Sequence, residues 1–154
     1  MPRVYKVEKA RKARPEHGIE VGDTYYHWTF YRSPMSISKT RPTKYQLTRS
    51  SFQLALYAIQ DQIADMLPTD VDDAESIVQD IISDISSLRD ECQDSLDSMP
   101  EALQDTSSSG ELLTERIDAL DEWENELSSV DFTVDEDRTL EDVVNDIQSI
   151  DFGL

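Results

Sequence analysis

The side chains best suited to chemistry in this sequence are aromatic and cationic, and they lie near its N-terminus. Tyr25, His27 and Tyr31 fall on alternate positions of a strand-like segment, so they share one face. Aromatic rings on a β-ribbon can stack nucleic-acid bases while nearby cations follow the phosphates. The pattern matches no established nucleic-acid motif. The residues selected as contacts to nucleic acid or another partner are Lys9, Arg11, Lys12, Arg14, Tyr25, His27, Tyr31, Lys39, Arg41 and Lys44.

Carboxylates dominate the rest of the chain. Residues 1–52 carry eleven Lys and Arg against four Asp and Glu, a formal charge of +7, whereas residues 53–154 carry three against twenty-nine, a charge of −26. Most of these carboxylates are explained by solvated helix faces. Alternatively, they bind the basic segment of the same chain or of a neighbouring copy. A third interpretation is that carboxylates spaced along rigid helices occupy a basic groove of another protein that normally binds nucleic acid. The acidic surface selected for a partner is Asp80, Asp84, Asp90, Glu91, Asp94, Asp121, Glu122 and Glu124.

Patterns for catalysis and metal binding are weak. His17 and His27 are the only histidines and Cys92 is the only cysteine, which disfavours a zinc site. The acidic segments 70–75 and 131–137 lack the glycine and the terminal glutamate of a calcium loop. The sequence also contains no Gly-rich phosphate loop and no nucleophile paired with a base. We therefore predict no enzymatic activity, no cofactor and no metal.

Length and hydropathy bound the class of protein. The 154 residues suit one domain, or a small domain with a helical extension. No apolar run approaches the roughly 20 residues of a membrane span, and the N-terminal residues lack the apolar region of a signal peptide. A single cysteine cannot form an internal disulfide, which agrees with a reducing compartment. We expect a soluble cytoplasmic protein without a membrane partner.

The N-terminal segment has the alternation of a small antiparallel sheet. Tyr26, Trp28 and Phe30 are expected to face the core, opposite the aromatic face named above, and Ile37 is expected to point inward beside them. Pro42 limits the last strand. The predicted strands are Arg3–Val7, Thr24–Tyr31 and Ser36–Thr40.

From about Thr48 the periodicity becomes helical. The first predicted helix presents Phe52 to Leu67, with Ser50 or Ser51 as its N-cap and Pro68 after its end. The second carries a heptad seam, whose members are Val71, Ala74, Val78, Ile81, Ile85, Leu88 and Cys92. Ile77, Ile82 and Leu96 widen the seam, so an intramolecular bundle is favoured over a parallel homodimer, and the oligomeric state is left open.

The remaining elements are a hairpin partner and a terminal helix. A capping box from Ser98 to Glu101 predicts a short helix, and Thr106–Gly110 is expected to be a polar loop. The expected helix Glu111–Ser129 pairs with the second helix as an antiparallel hairpin. After an irregular stretch, Thr139 caps a last helix. The fold class is α+β, divided into a basic aromatic ribbon (1–47), an acidic helical hairpin (48–130), and an acidic linker with an amphipathic helix (131–154).

Several segments carry a family resemblance. In the basic part they are Lys9–Lys12, Gly22–Trp28 and Ser38–Pro42; in the helical part they are Cys92–Leu96, Met99–Gln104 and Gly110–Arg116. These segments, about half of the chain, resemble small uncharacterised proteins of bacteriophage or prophage type. The resemblance implies a phage-type origin, and thus the host cytoplasm, but supplies no activity and no functional residues.

Two functions follow as hypotheses. The first is a non-enzymatic interaction protein of phage or mobile-element type, whose acidic helices engage a protein partner with a basic surface. Occlusion of a nucleic-acid-binding groove is one mechanism for it. The alternative is an accessory protein that binds nucleic acid through the basic aromatic ribbon. It ranks second because the acidic part is expected to repel nucleic acid.

Overall fold

The structure, a computed structural model, describes residues 1–150. The chain forms two compact units, Met1–Tyr57 and a second that starts at Ala58. Its elements are β1 (Tyr5–Val7), β2 (Tyr25–Trp28), β3 (Ser36–Ser38), α1 (Ser51–Ala64), α2 (Val71–Asp97), α3 (Glu101–Gln104), α4 (Ser108–Ser128) and α5 (Leu140–Ser149), with short 3₁₀ helices at Pro15–His17 and Lys44–Leu47. The α+β fold class is confirmed. The division into 1–47, 48–130 and 131–154 stays a prediction, and residues 151–154 lie outside the described range.

The three strands form one antiparallel sheet in the order β1-β2-β3. Tyr5 lies opposite His27, and Val7 lies opposite Tyr25. Because directly opposed residues share a face, Tyr5, His27 and Tyr25 lie on one side of the sheet. Trp28 lies on the other side and is only 4% exposed. The predicted separation is confirmed for Tyr25 and His27 against Tyr26 and Trp28. Of the three aromatic residues expected in the core, only Trp28 is buried: Tyr26 is half-buried, and so is Phe30, which lies beyond the end of β2.

The position expected for Ile37 is wrong. Ile37 pairs with His27, so it lies on the same face of the sheet as His27 and not on the face of Trp28. Ser36 lies opposite Trp28, and Ser38 lies opposite Tyr26. A slip of one residue in register exchanges the two faces of a strand, and the sequence of so short a strand does not specify its register.

All three strands are shorter than predicted. β2 ends at Trp28 because the chain turns immediately after it. Arg32 has a left-handed backbone conformation with φ of 56°, and the amide of Ser33 donates to the carbonyl of Phe30 at 3.0 Å. Tyr31 therefore lies in a turn and not on the strand face where the alternation placed it.

The connection between β1 and β2 is a long loop closed by backbone hydrogen bonds. The amide of Ala10 donates to the carbonyl of Asp23 at 2.9 Å, and the carbonyl of Ala10 accepts from Gly22 at 2.8 Å. Further along, Arg14 and Ile19 bond to each other in both directions, at 2.7 and 3.1 Å. Ala10 and Ile19 are buried. The basic segment between these anchor points is thus held against the unit.

In the second unit, α2 packs along α4. The seam from Ala74 to Cys92 is buried within a single chain. The start of α4 lies against α3, since Gly110 approaches the backbone of Gln104, and α3 follows directly on the end of α2. The two long helices therefore run antiparallel, and the predicted hairpin is confirmed.

Two details of the helix ends differ from the prediction. Ser98 does not begin a capping box: its hydroxyl donates to the carbonyl of Ser95, and Pro100 is the N-cap of α3 without a side-chain bond. Thr106–Gly110 is not wholly a loop either, because α4 begins at Ser108. Its N-cap is Ser107, whose hydroxyl accepts from the amide of Gly110 at 3.0 Å.

The N-terminal caps predicted for the first and last helices are both present, but the end of the first helix differs from the prediction. Ser50 caps α1 by accepting from the amide of Gln53, but α1 ends at Ala64, and Leu67 is 89% exposed instead of buried. Thr139 caps α5 through a complete capping box with Asp142, as predicted. Within residues 1–150, no helix has the length and apolar character needed to cross a membrane.

Candidate binding surfaces

Three rings form a continuous group on the open face of the sheet, which we call the aromatic column: Tyr5, His27 and Tyr25. The ring of Tyr5 stacks on His27 with a centroid separation of 5.2 Å and an interplanar angle of 14°. The ring of Tyr25 lies 6.2 Å from His27, tilted by 38°. The register of β1 on β2 produces this contact, since it sets Tyr5 directly across from His27.

Two arginines cover the ends of the aromatic column. The guanidinium carbon of Arg3 lies 5.3 Å from the centre of the Tyr5 ring, and that of Arg14 lies 5.7 Å from the centre of Tyr25. An exposed cation–π contact contributes about 0.5–1 kcal/mol, whereas stacking of a base on an aromatic side chain contributes about 1–3 kcal/mol. A base can therefore displace the exposed Arg3, and it competes with the half-buried Arg14 for the ring of Tyr25; an arginine displaced in this way becomes free to pair with a phosphate.

Next to Tyr25 lies a shallow depression of about 260 Å³, which we call the basic cleft. Its lining residues are Val7, Lys9, Arg11, Lys12, Arg14 and Tyr25. Among the residues that the structure describes, none of these four cations has a carboxylate within ion-pair distance. The anchored β1–β2 loop thus presents four uncompensated positive charges beside an aromatic ring, an arrangement that suits phosphate groups.

Four of the ten selected residues lie elsewhere in this unit. Tyr31 is 86% exposed in its turn, with Arg32 over its ring. Arg41 lines a different depression together with Lys6 and Tyr26, on the opposite side of the sheet from the column. Lys44 lies over the rings of Tyr45 and Tyr57.

Lys39 is engaged within the unit. Its Nζ lies 2.9 Å from Oδ2 of Asp23 and donates to the carbonyl of Gly18. The hydrogen bond to Asp23 raises the pKa of Lys39. The pKa of Asp23 is lowered, first by the amide of Glu20 and then by Lys39. This pair closes the loop and leaves Lys39 less available to a ligand than the four cations of the basic cleft.

Sequence reasoning missed two members of the surface, Arg3 and Tyr5. The alternation of Arg3, Tyr5 and Val7 within the predicted first strand places all three on one face. That signal was present, but the partner of this strand and their register were not known. Only the pairing of β1 with β2 brings Tyr5 onto His27.

Two of the three selected acidic residues of α4 serve an internal contact. Nη1 of Arg89 donates to Asp121 and to Glu124, at 2.8 Å each, and so joins α2 to α4. The hydrogen bond to Asp121 is the main cause of the raised pKa of Arg89. Asp90 lies 3.5 Å from the same guanidinium. Asp121 and Glu124 are therefore already paired, whereas Glu122 is exposed.

The five selected carboxylates of α2 share the outer face of the helix. At about 100° per residue they fall within a sector of about 120°, roughly opposite the buried seam, and they span about 21 Å along the axis. All five side chains are exposed: Asp80, Asp84, Asp90, Glu91 and Asp94. Asp84 also accepts a hydrogen bond from the amide of Gln62. The face is a rigid row of negative charge.

Chemistry at other sites receives little support from the geometry. Across the described part of the chain, no group of three or more His, Cys, Asp or Glu side chains is arranged to hold a metal ion. Cys92 is 5% exposed, and its burial raises the pKa of the thiol. A buried thiol with a raised pKa is a poor nucleophile.

Comparison of the chain with protein-family models, with curated proteins and with solved structures finds no significant match.

Proposed function

We propose that this is a non-enzymatic protein that binds nucleic acid through the open face of its N-terminal sheet. The observation that carries the proposal is the position of Tyr25. Its ring belongs to the aromatic column through His27 and also lines the basic cleft. A stacking surface and a phosphate-binding surface are therefore continuous. We further propose, from its sequence, that the protein is of phage or mobile-element type.

The acidic part of the chain opposes this function through its net charge, but the unit that carries the proposed surface is itself basic. The unit Met1–Tyr57 carries eleven Lys and Arg against four Asp and Glu, a formal charge of +7. Two of those acidic residues form ion pairs within the unit: Glu8 pairs with Lys6, and Asp23 pairs with Lys39. At physiological salt the Debye length is about 8 Å, so the cations that line the basic cleft act on a bound phosphate more strongly than charges farther from it. We therefore place the nucleic-acid hypothesis, which ranks second from the sequence, first.

The test is fluorescence anisotropy of labelled oligonucleotides with the full-length protein over a range of salt. We expect a Kd of about 1–100 µM at physiological salt, and four phosphate contacts give a slope of log K against log salt of about −3. Arg11→Glu should weaken binding strongly. Arg41→Glu is the matched control, since it changes the net charge equally on the opposite face. Equal losses from the two variants, or no binding to any nucleic acid at low salt, would refute the proposal.

A second function is favoured by the acidic face of α2. Asp121 and Glu124 pair with Arg89 at 2.8 Å, and Asp90 lies farther from the same guanidinium, at 3.5 Å. The exposed side chains of Asp80, Glu91 and Asp94 on α2 remain available to a partner. We propose that this row binds a protein with a basic surface, with occlusion of a nucleic-acid-binding groove as one mechanism. Such binding should have an association rate that falls as salt rises.

An oligolysine peptide serves as a probe of that second function in the full-length protein. Replacement of Asp80 and Asp94 together by Asn should reduce its affinity. The control replaces Glu136 by Gln and Asp137 by Asn, which removes the same charge from the segment between α4 and α5. If both double variants weaken the binding of the peptide equally, the effect is one of net charge, and the α2 face is not a specific binding surface.

A further inference from the structure

We propose that the N-terminal surface selects single-stranded nucleic acid, stacking one base on Tyr5 and another on Tyr25 while the connecting phosphates occupy the basic cleft. This inference depends on the proposed function and names its substrate class. It assigns roles to Arg3 and Tyr5, which the charge pattern alone does not select.

The accessibility of the rings favours a single strand. Tyr5 is 48% exposed, and Tyr25 and His27 are half-buried on the open face. In a duplex the faces of the bases are covered by their neighbours, and the outer surface offers phosphates and groove edges. In a single strand the base faces are accessible to protein side chains, and stacking on aromatic rings provides affinity for any sequence.

The two covering arginines indicate how binding occurs. Arg3 is exposed and lies over Tyr5, and Arg14 lies over Tyr25 while also lining the basic cleft. Stacking by a base is stronger than an exposed cation–π contact, so a base replaces Arg3 on Tyr5, and on Tyr25 it replaces the half-buried Arg14 with the added gain of a phosphate contact in the cleft. The displaced Arg14 is already beside Lys12 and Arg11 in the cleft, where it meets the phosphate that adjoins the stacked base.

An acidic peptide fits this surface less well. It supplies negative charge to the basic cleft, but a carboxylate side chain has no aromatic face to replace Arg3 on Tyr5 or Arg14 on Tyr25. Charge alone would leave the aromatic column unused. The contribution of Tyr5 therefore separates the ligand classes, because this residue lies in the column and is not among those lining the cleft.

The test compares four labelled ligands with the full-length protein: DNA and RNA single strands of about twelve nucleotides, the corresponding DNA duplex, and a polyglutamate peptide of equal charge. We expect both single strands to bind more tightly than the duplex and the peptide. Tyr5→Leu should weaken the affinity for the single strands about tenfold and leave the affinity for the duplex unchanged. Tyr5→Phe retains the ring and should retain the affinity for the single strands. Tyr31→Leu is the matched control, an exposed tyrosine outside the aromatic column.

The outcomes separate this inference from the proposed function. Duplex affinity equal to or above that of the single strands, with Tyr5→Leu no worse than Tyr31→Leu, overturns single-strand selection and leaves nucleic-acid binding standing. Polyglutamate that binds as tightly as the oligonucleotides overturns the stacking mechanism. Absence of binding to every nucleic acid removes both. A difference between the DNA and RNA strands identifies the preferred source of the single strand.

Discussion

Tyr5 and His27 stack with ring centroids 5.2 Å apart and planes 14° apart, although one lies on β1 and the other on β2. The antiparallel register sets them directly opposite each other. His27 also approaches Tyr25, so this imidazole links the two tyrosines to which we assign the bases. The contact turns separate aromatic residues into one surface.

Replacement of His27 by Ala should remove this link. We expect roughly fivefold weaker binding of a single-stranded oligonucleotide, because Tyr5 and Tyr25 lose the ring that orients them. The unfolding free energy should fall by about 1 kcal/mol, the usual contribution of an aromatic pair. Anisotropy and thermal denaturation measure the two effects. The control is His17→Ala, an exposed histidine of the 3₁₀ helix; if it weakens binding as much, the column has no special role.

Replacement of Ile81 by Asp should unfold the helical hairpin. Ile81 is fully buried on the α2 seam, and an unpaired carboxylate in an apolar core costs more than about 3 kcal/mol. Ser83→Asp introduces the same group on the exposed side of the same helix and should change stability by less than about 0.5 kcal/mol. Urea denaturation followed by circular dichroism compares the two variants. Similar midpoints would contradict the buried seam.

Replacement of Gly110 by Ala should destabilise the protein in spite of its helical position. Alanine normally gains about 1 kcal/mol over glycine within a helix. Here the added Cβ would lie 2.0 Å from the carbonyl oxygen of Gln104 and 2.8 Å from that of Leu103. Because both are backbone atoms, α3 must shift, and we expect a loss of about 1–3 kcal/mol. The neighbouring Ser109→Ala should be nearly neutral; a Gly110→Ala variant that melts higher than wild type would show that α3 is not closely packed there.

The capping box of α5 should make this helix sensitive to acid. The amide and hydroxyl of Thr139 donate to Oδ2 of Asp142 at 2.8 Å each, and they lower the pKa of that carboxyl. A lowered pKa contributes stability above the unfolded value of about 3.9, and this contribution is lost as the pH falls through the folded value. Carboxyl carbon shifts measured by NMR should show that Asp142 titrates below the ordinary range. Thr139→Ala should move the titration back toward it; an unchanged titration in this variant would exclude the hydroxyl as a cause.

Cys92 should react with thiol reagents only after unfolding. Its side chain lies in the seam, and burial raises the pKa of the thiol, so at pH 8 both access and the thiolate fraction are low. We expect slow labelling of the native protein, rapid labelling in urea, and no cross-linked dimer under mild oxidation. Fast formation of a disulfide-linked dimer would instead favour the parallel homodimer, in which two Cys92 side chains face each other.

Features that depend on local spacing can be read directly from the order of the residues. Residues of α2 at intervals of three and four form one buried stripe in any helix, and alternate residues of β2 take opposite faces in any strand. The cap at Thr139 and the division of charge are equally local. These features predict the α+β class, the helical hairpin and the two oppositely charged surfaces.

Contacts between residues that are distant in the sequence depend on how the folded elements pack together. The long loop between β1 and β2 does not specify their register, so the stacking of Tyr5 on His27 was not predictable from spacing, and the face of Ile37 was predicted wrongly. The pairing of Arg89 with Asp121 and Glu124 likewise depends on how α2 and α4 are aligned along their length. Periodicity determines the face on which a residue lies, but the packing between elements determines its partner.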